Sequence, residues 1–226
     1  MQKLILPIQD FKPTAGYKNA KYKSYWGYVH YGVDCGSPSK NRKLYGLGEG
    51  TVKAVGLDGL NGKTTGTGSG CGYCLVIEYR DCYNWYTGRT YNLTVTYMHM
   101  AEMPKVKAGQ AVHKTTYLGD YGNTGANTSG PHLHIQMDMD TTYYLYCCGL
   151  SAKGHNLLKK GTYDSTLNPA YFLHIGAGQS ITVPASAWYD RTDFTMIPKA
   201  TETKKAEATT ETKKGVTTSG GGIEVK

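Results

Sequence analysis

The chain has 226 residues, 39% hydrophobic and 19% charged, with a formal net charge of +8. That is enough apolar material for one packed domain, and it excludes a largely disordered chain; no stretch is long enough to span a membrane as an apolar helix. The 29 glycines and 20 tyrosines, against 3 phenylalanines, favour strands joined by turns, so the expected fold class is mostly β.

The segment from Lys199 onward holds six lysines and four glutamates, leaving about +6 on the body. A basic body suits an anionic polymer, a membrane surface or nucleic acid, and equally serves plain solubility. No basic cluster is interleaved with aromatics, so no nucleic-acid partner is expected.

The chain opens on Met1 to Asp10, whose apolar run is too short for a signal-peptide core and has no small-residue cleavage site. Either the protein is made in the cytoplasm and released by another route, or the chain is processed or trimmed. Leu4 to Tyr28, broken by Pro7, Pro13, Gly16 and Gly27, reads as a leading arm with one short strand. Tyr28 to Asp34 reads as extended, which puts His30 and Asp34, an even offset apart, on one face. Gly48 to Gly56 is a turn, a strand and a turn, and Leu57 to Gly72 is a polar loop. Leu75 to Tyr79 and Leu93 to Met100 alternate as strands, with a turn over Asp81 to Arg89.

Val106 to Val112 is a short turn-and-strand unit. From Gly122 a glycine-rich polar loop runs into Pro131-His132-Leu133-His134, and a strand continues to Asp138. Residues two apart on a strand share a face, so His132 and His134 lie side by side with Leu133 turned into a core. Such a pair suits a metal or proton-transfer site, or is simply a pair of strand histidines. Thr141 to Thr162 is poorly patterned. Asn168 to Leu173 reads as a closing helical turn, and Ser180 to Pro198 adds one more strand. Beyond Pro198, Thr201-Glu202-Thr203-Lys204-Lys205 recurs as Thr210-Glu211-Thr212-Lys213-Lys214, the signature of a flexible tail or linker.

Six cysteines allow fifteen full pairings. Cys71 and Cys74 have metal-knuckle or redox spacing, but no second pair matches them and Cys147 and Cys148 are adjacent. Mostly reduced thiols, buried or incidental, are the expectation.

Three segments together carry more than each alone. His30-Tyr31-Gly32-Val33-Asp34, Thr96-Tyr97-Met98-His99-Met100 and Gly125 to His134 resemble, in order, the His-x-Gly-x-Asp, Tyr-x-His-Leu and Gly-Pro-His-Leu-His motifs of the lysostaphin-type (LytM-like) zinc endopeptidases. Gly50-Thr51-Val52, Gly109 to Val112 and Asn168-Pro169 agree in order, so the resemblance runs from about Gly27 to Leu173.

The resemblance implies a compact antiparallel β-sandwich of the duplicated hybrid motif type, with a substrate groove over one sheet. It implies one zinc ion held by His30, Asp34 and His134, with His99 and His132 as the catalytic pair. Zinc would activate a water and polarise the scissile carbonyl, while the two histidines handle protons in either assignment. The implied activity is hydrolysis of peptide bonds in bacterial peptidoglycan stem peptides or cross-bridges, at the cell wall. The context is a phage endolysin released at lysis or a secreted bacterial hydrolase, and a monomer is favoured. The alternatives are an inactive member that binds the cell wall or activates a partner hydrolase, and a virion component that opens the wall locally.

Residues 1–198 form the expected enzyme domain, with a motif core over 27–173 and an insertion over about 140–164 that borders the groove or merely lengthens a hairpin. Residues 199–226 form the tail. Cys35, next to Asp34, is expected to pack on the opposite face. Asn123 and Thr124 are expected to line the groove, and His113, His155 and His174 belong to no motif.

Overall fold

The computed structural model describes residues 1–57, 70–141, 145–146, 150–151 and 164–200. Cys147, Cys148, His155, Tyr143 and Tyr144, most of the 140–164 insertion, and the repeats beyond Ala200 lie outside the described residues.

The fold is mostly β. A nine-stranded sheet is built from β1 (Asp10–Ala15), β2 (Val33–Gly36), β3 (Gly50–Leu57), β4 (Tyr73–Asn84), β5 (Arg89–Met100), β6 (Ala111–Val112), β7 (Leu133–Asp138), β8 (Thr166–Leu167) and β9 (Ser180–Ile181). Its order is β9-β1-β2-β7-β5-β4-β3-β6, with β8 also pairing β7. The sheet is mixed rather than wholly antiparallel, because β9 pairs β1 in parallel. Beside it, among the described residues, stand two-stranded pairs that include Leu4–Ile5 with Leu173–His174 and Lys43–Tyr45 with Tyr117–Asp120, and their Leu4, Leu44, Leu118 and Leu173 join the same core.

Strand β7 follows the sequence reading residue for residue, and its alternation fixes the site. Leu133, Ile135 and Met137 are fully buried in one core with Leu75, Ile77, Val95 and Tyr97. Each such side chain contributes about 1.5–3 kcal/mol by burial. A one-residue slip would turn them outward and the histidines inward, so the register is strongly held. His134 pairs with Asp34 on one side and Met98 on the other.

The expected strands within Gly48–Gly56, Leu75–Tyr79 and Leu93–Met100 are present, and other segments depart from expectation where local side chains compete. The expected turn over Asp81 to Arg89 shrinks to a tight connection after Asn84, whose Oδ1 accepts from the Tyr86 and Thr87 amides. Cys82, pointing into the core, keeps β4 going to that point. The expected strand over Tyr28 to Asp34 begins only at Val33. Helix α1 (Ala20–Trp26) stands in the supposed arm: Asn19 caps its start by accepting from the Tyr22 amide, and Gly27, at φ +80°, closes its end. Ser180 to Pro198 holds a two-residue strand and a second helix, α2 (Arg191–Thr195), capped by Asp190. Lys199 and Ala200 pair with Ile175, two residues past Pro198.

Cys35, Cys74 and Cys82 are free thiols, and all three are buried, as is Cys71. Cys35 lies wholly within the core, on the face opposite Asp34, and burial pushes its thiol well above the usual range. His174 is buried with Nδ1 donating to the Phe172 carbonyl, and His113 is exposed.

Candidate metal centre

His30, Asp34, His99, His132 and His134 converge on one face of the sheet, at the junction of β2, β7 and β5. Asp34 and His134 are cross-strand partners, and adjacent paired residues share a face. His132 precedes His134 by one strand step. His30 arrives from the loop before β2, where Lys18 N–H donates to its carbonyl.

His99 reaches this face by a different device. On a regular strand it would share the core face with Tyr97. Instead β5 bulges against β4 between Tyr97 and Met100, and His99 adopts φ +60°. A left-handed conformation at a non-glycine residue is uncommon and marks a constrained position. Its amide donates to Cys71 O at 2.8 Å and its carbonyl accepts from Gly122 N at 2.7 Å, which holds the bulge in place.

Backbone carbonyls set the protonation of three imidazoles. Nδ1–H of His30 donates to Gly16 O at 2.9 Å, that of His99 to Thr124 O at 2.9 Å, and that of His132 to Gly130 O at 2.8 Å. A carbonyl can only accept, so each ring keeps its Nε2 for the site. His30 Nε2 lies 3.0 Å from Asp34 Oδ1 and 3.0 Å from His134 Nδ1, and the last two are 2.9 Å apart. His132 Nε2 is 3.6 Å from the same Asp34 oxygen. The rings of His99 and His132 are 4.8 Å apart.

These atoms make a place for positive charge. Burial opposes ionisation of Asp34, but His30 and His134 beside it hold its carboxyl well below the usual carboxylate range. Burial also disfavours a charged His30, yet Asp34 raises its proton affinity. Burial, with His30 and His132 adding, lowers His134 in spite of Asp34. Burial, followed by His132 and His134, brings His99 down to about 4.

Two imidazoles and a carboxylate are a donor set suited to zinc. Among the described residues His30, Asp34 and His134 offer ligand atoms within 4.8 Å of one another. Their triangle is a few tenths of an ångström tighter than the ~3.3 Å spacing set by zinc bonds of about 2.0–2.1 Å, so the residues fit the ion.

Close packing holds several of these side chains in place. Gly32 has no room for a side chain: a Cβ there would stand 2.5 Å from His134 Nε2 and 2.5 Å from Ile135 O. Tyr22 of α1 stacks on His30 with centroids 4.4 Å apart. Thr124, expected to line the groove, braces His99 instead: besides its carbonyl contact, its hydroxyl donates to Met100 O at 2.6 Å and accepts from Tyr73 N at 3.0 Å. Asn123 is exposed and accepts from Thr128.

A groove of ≈ 490 Å³ adjoins this cluster, and Asp34 and His132 are among the residues that line it. Tyr22, Trp26, Tyr28 and Trp188 line one side, and residues 126–131 the other. Sequence reasoning missed the first side altogether. The signals were present as Asn19 and Gly27, eight residues apart, flanking an aromatic-rich run.

The model of Peptidase family M23 matches residues 28–144. Among solved structures, the chain is similar to a zinc containing peptidase from Vibrio cholerae, at 24% identity over 60% of this chain and 36% of that one, with a TM-score of 0.44. The chain thus spans little more than a third of the length of that protein. It is similar to a structure of the SpoIIQ-SpoIIIAH pore forming complex, at 17% identity over 76% of this chain and 92% of that one, with a TM-score of 0.48. It is also similar to the catalytic domain of lysostaphin from Staphylococcus simulans, at 20% identity over 70% of this chain and 89% of that one, with a TM-score of 0.40.

Proposed function

Because the chain belongs to peptidase family M23, we propose that it is a zinc metalloendopeptidase that hydrolyses peptide bonds in bacterial peptidoglycan. The observation that carries this reading is the triangle of His30 Nε2, Asp34 Oδ1 and His134 Nδ1 with two further imidazoles beside it. Zinc bound there supplies Lewis-acid activation of a water and of the scissile carbonyl.

The remaining chemistry belongs to the chain. His99, neutral near pH 7, presents Nε2 as a proton acceptor, while its Nδ1–H stays on Thr124 O. His132 presents Nε2 from the opposite side, with Nδ1–H on Gly130 O. One ring can take a proton from water, and the other, when protonated, can stabilise the developing oxyanion or protonate the leaving amine. The geometry supports either assignment. The site opens directly into the groove, which leaves room for an extended substrate.

The non-cutting alternatives, a wall-binding or partner-activating member or a virion component, lose support from the presence of all five side chains in one cluster. Among the described residues no helix is long and apolar enough to cross a membrane. The site of action under this reading is the cell wall.

The test is elemental analysis of purified protein beside a peptidoglycan-clearing assay. About one zinc per chain is expected, with loss of both zinc and clearing in His30→Ala and Asp34→Ala. Full zinc content in either variant would refute the ligand assignment.

A further inference from the structure

Helix α1 poses a question that the metal centre leaves open. It buries none of its residues, yet Tyr22, Tyr25 and Trp26 make up three of its seven positions. Tyr25 is 69% exposed, Trp26 46%, and Tyr28, just past the helix, 39%. Single exposed aromatics are ordinary, but a contiguous patch of them marks a binding surface.

This patch is contiguous and built. The Tyr25 ring meets Trp26 edge-on at 5.0 Å and Trp188 at 5.1 Å. Tyr22 meets Trp188 at 6.3 Å and Tyr28 at 5.8 Å, both edge-on, and its own face is spent on His30. The caps at Asn19 and Gly27 hold the helix at both ends. The rings therefore form a shelf tied directly to a candidate metal ligand.

We propose that this aromatic shelf is a glycan subsite, which stacks on a pyranose ring of the peptidoglycan glycan strand while the attached peptide lies over the His30, Asp34 and His134 cluster. The inference rests on the peptidoglycan reading above and names the part of that substrate the shelf takes. Three observations favour a sugar. A pyranose has an apolar C–H face and a rim of hydroxyl and amide groups. The shelf supplies aromatic faces for the first, and Asn127, Thr128 and Ser129 across the groove supply polar groups for the second. The shelf is a helix and an irregular segment, so it offers side-chain faces rather than a strand edge to which a peptide backbone would pair. Finally, Asp34 and His132 line the same groove as Tyr22, Trp26, Tyr28 and Trp188, so a ligand on the shelf lies beside the metal cluster.

The test compares two substrates on the zinc-loaded full chain: a cross-linked muropeptide that carries its disaccharide, and the same cross-linked peptide stripped of sugar. A third arm titrates a soluble N-acetylglucosamine tetramer, followed by tryptophan fluorescence. The wild-type protein is expected to show a KM at least fivefold lower for the sugar-linked substrate. Trp26→Ala is expected to abolish that preference and to weaken tetramer binding at least tenfold, while Trp26→Phe, which keeps a ring, retains most of both. Zinc content and thermal midpoint of each variant report whether it has folded. Absence of any sugar preference in the wild type, or an equal rise in both KM values in Trp26→Ala, would overturn the proposal, the second outcome making the shelf a peptide subsite. If neither substrate is cut with chelator sensitivity, the peptidase reading has failed. The tetramer titration then decides the shelf alone: binding lost in Trp26→Ala upholds it, and no binding by the wild type refutes it.

Discussion

Gly32→Ala removes no atom and adds one, and the structure says where that atom goes. Its Cβ would stand 2.5 Å from His134 Nε2, 2.8 Å from His134 Cε1 and 2.5 Å from Ile135 O. Contacts of this kind settle near 3.5–4.0 Å, so about 1 Å must be found. The Ile135 carbonyl belongs to β7, which is pinned on both sides by β2 and β5. The softer element is the His134 ring, so the displacement falls on a proposed zinc ligand. Metal sites tolerate shifts of about 0.2 Å in ligand distance, and misplacing a reacting group by about 1 Å costs roughly 100-fold in rate. Overpacking adds a destabilisation of about 1–3 kcal/mol. The expected result is a folded protein with a lowered thermal midpoint, zinc affinity weakened at least tenfold, and turnover down about 100-fold at saturating zinc. The assays are competitive zinc titration with a chromophoric chelator, calorimetry, and peptide cleavage. Wild-type zinc affinity and turnover in a folded Gly32→Ala protein would refute the packing argument and, with it, the role given to His134.

Further expectations concern the other residues of the cluster. His99→Ala and His132→Ala should retain zinc by elemental analysis and lose cleavage, and lysis at the wild-type rate by either would sink the catalytic pairing. Thr124→Val strips the hydroxyl that holds Met100 O and Tyr73 N; kcat should fall about 10–100-fold with zinc retained, as for groups that orient a site from behind, and Thr124→Ser should recover most of it. In chelated protein, His99 is held to about 4 in the fold against 6.5 in the open chain. The unfolded state therefore binds more protons, so this contribution to stability is complete above pH 6.5 and declines as pH falls from 6.5 towards 4, by about 3 kcal/mol at most. Denaturant midpoints should follow that decline, and His99→Gln should flatten it; an unchanged slope in the variant would show that His99 is not buried neutral.

The parts of the molecule that read well in sequence are those where one physical rule acts alone. Leu133, Ile135 and Met137 alternate with polar neighbours, so β7 and the facing of His132 and His134 follow from the pleat. Asp34 and Cys35 separate to opposite faces for the same reason. His30 joined the cluster in the sequence reading through an even strand offset, whereas the structure brings it in on a loop by its Gly16 contact and its stacking on Tyr22. His99 is the clearest case of partial legibility. Its motif neighbours mark it, but the bulge and the left-handed φ that turn it from the core face leave no trace in composition or alternation. Helix α1 shows in the sequence only through its caps, Asn19 and Gly27, because it has no buried stripe: apolar periodicity, the main helical signal, is missing from a helix that buries none of its residues.

The role proposed for this cluster is to hold zinc in order to cut the peptides of bacterial cell walls. Its most direct test is digestion of purified walls of several cross-link types, with and without chelator, read by mass spectrometry. New amino termini that vanish with chelator and return with added zinc are the predicted result, and their sequence names the bond. Walls that yield no chelator-sensitive terminus, from protein shown to carry zinc, would contradict it.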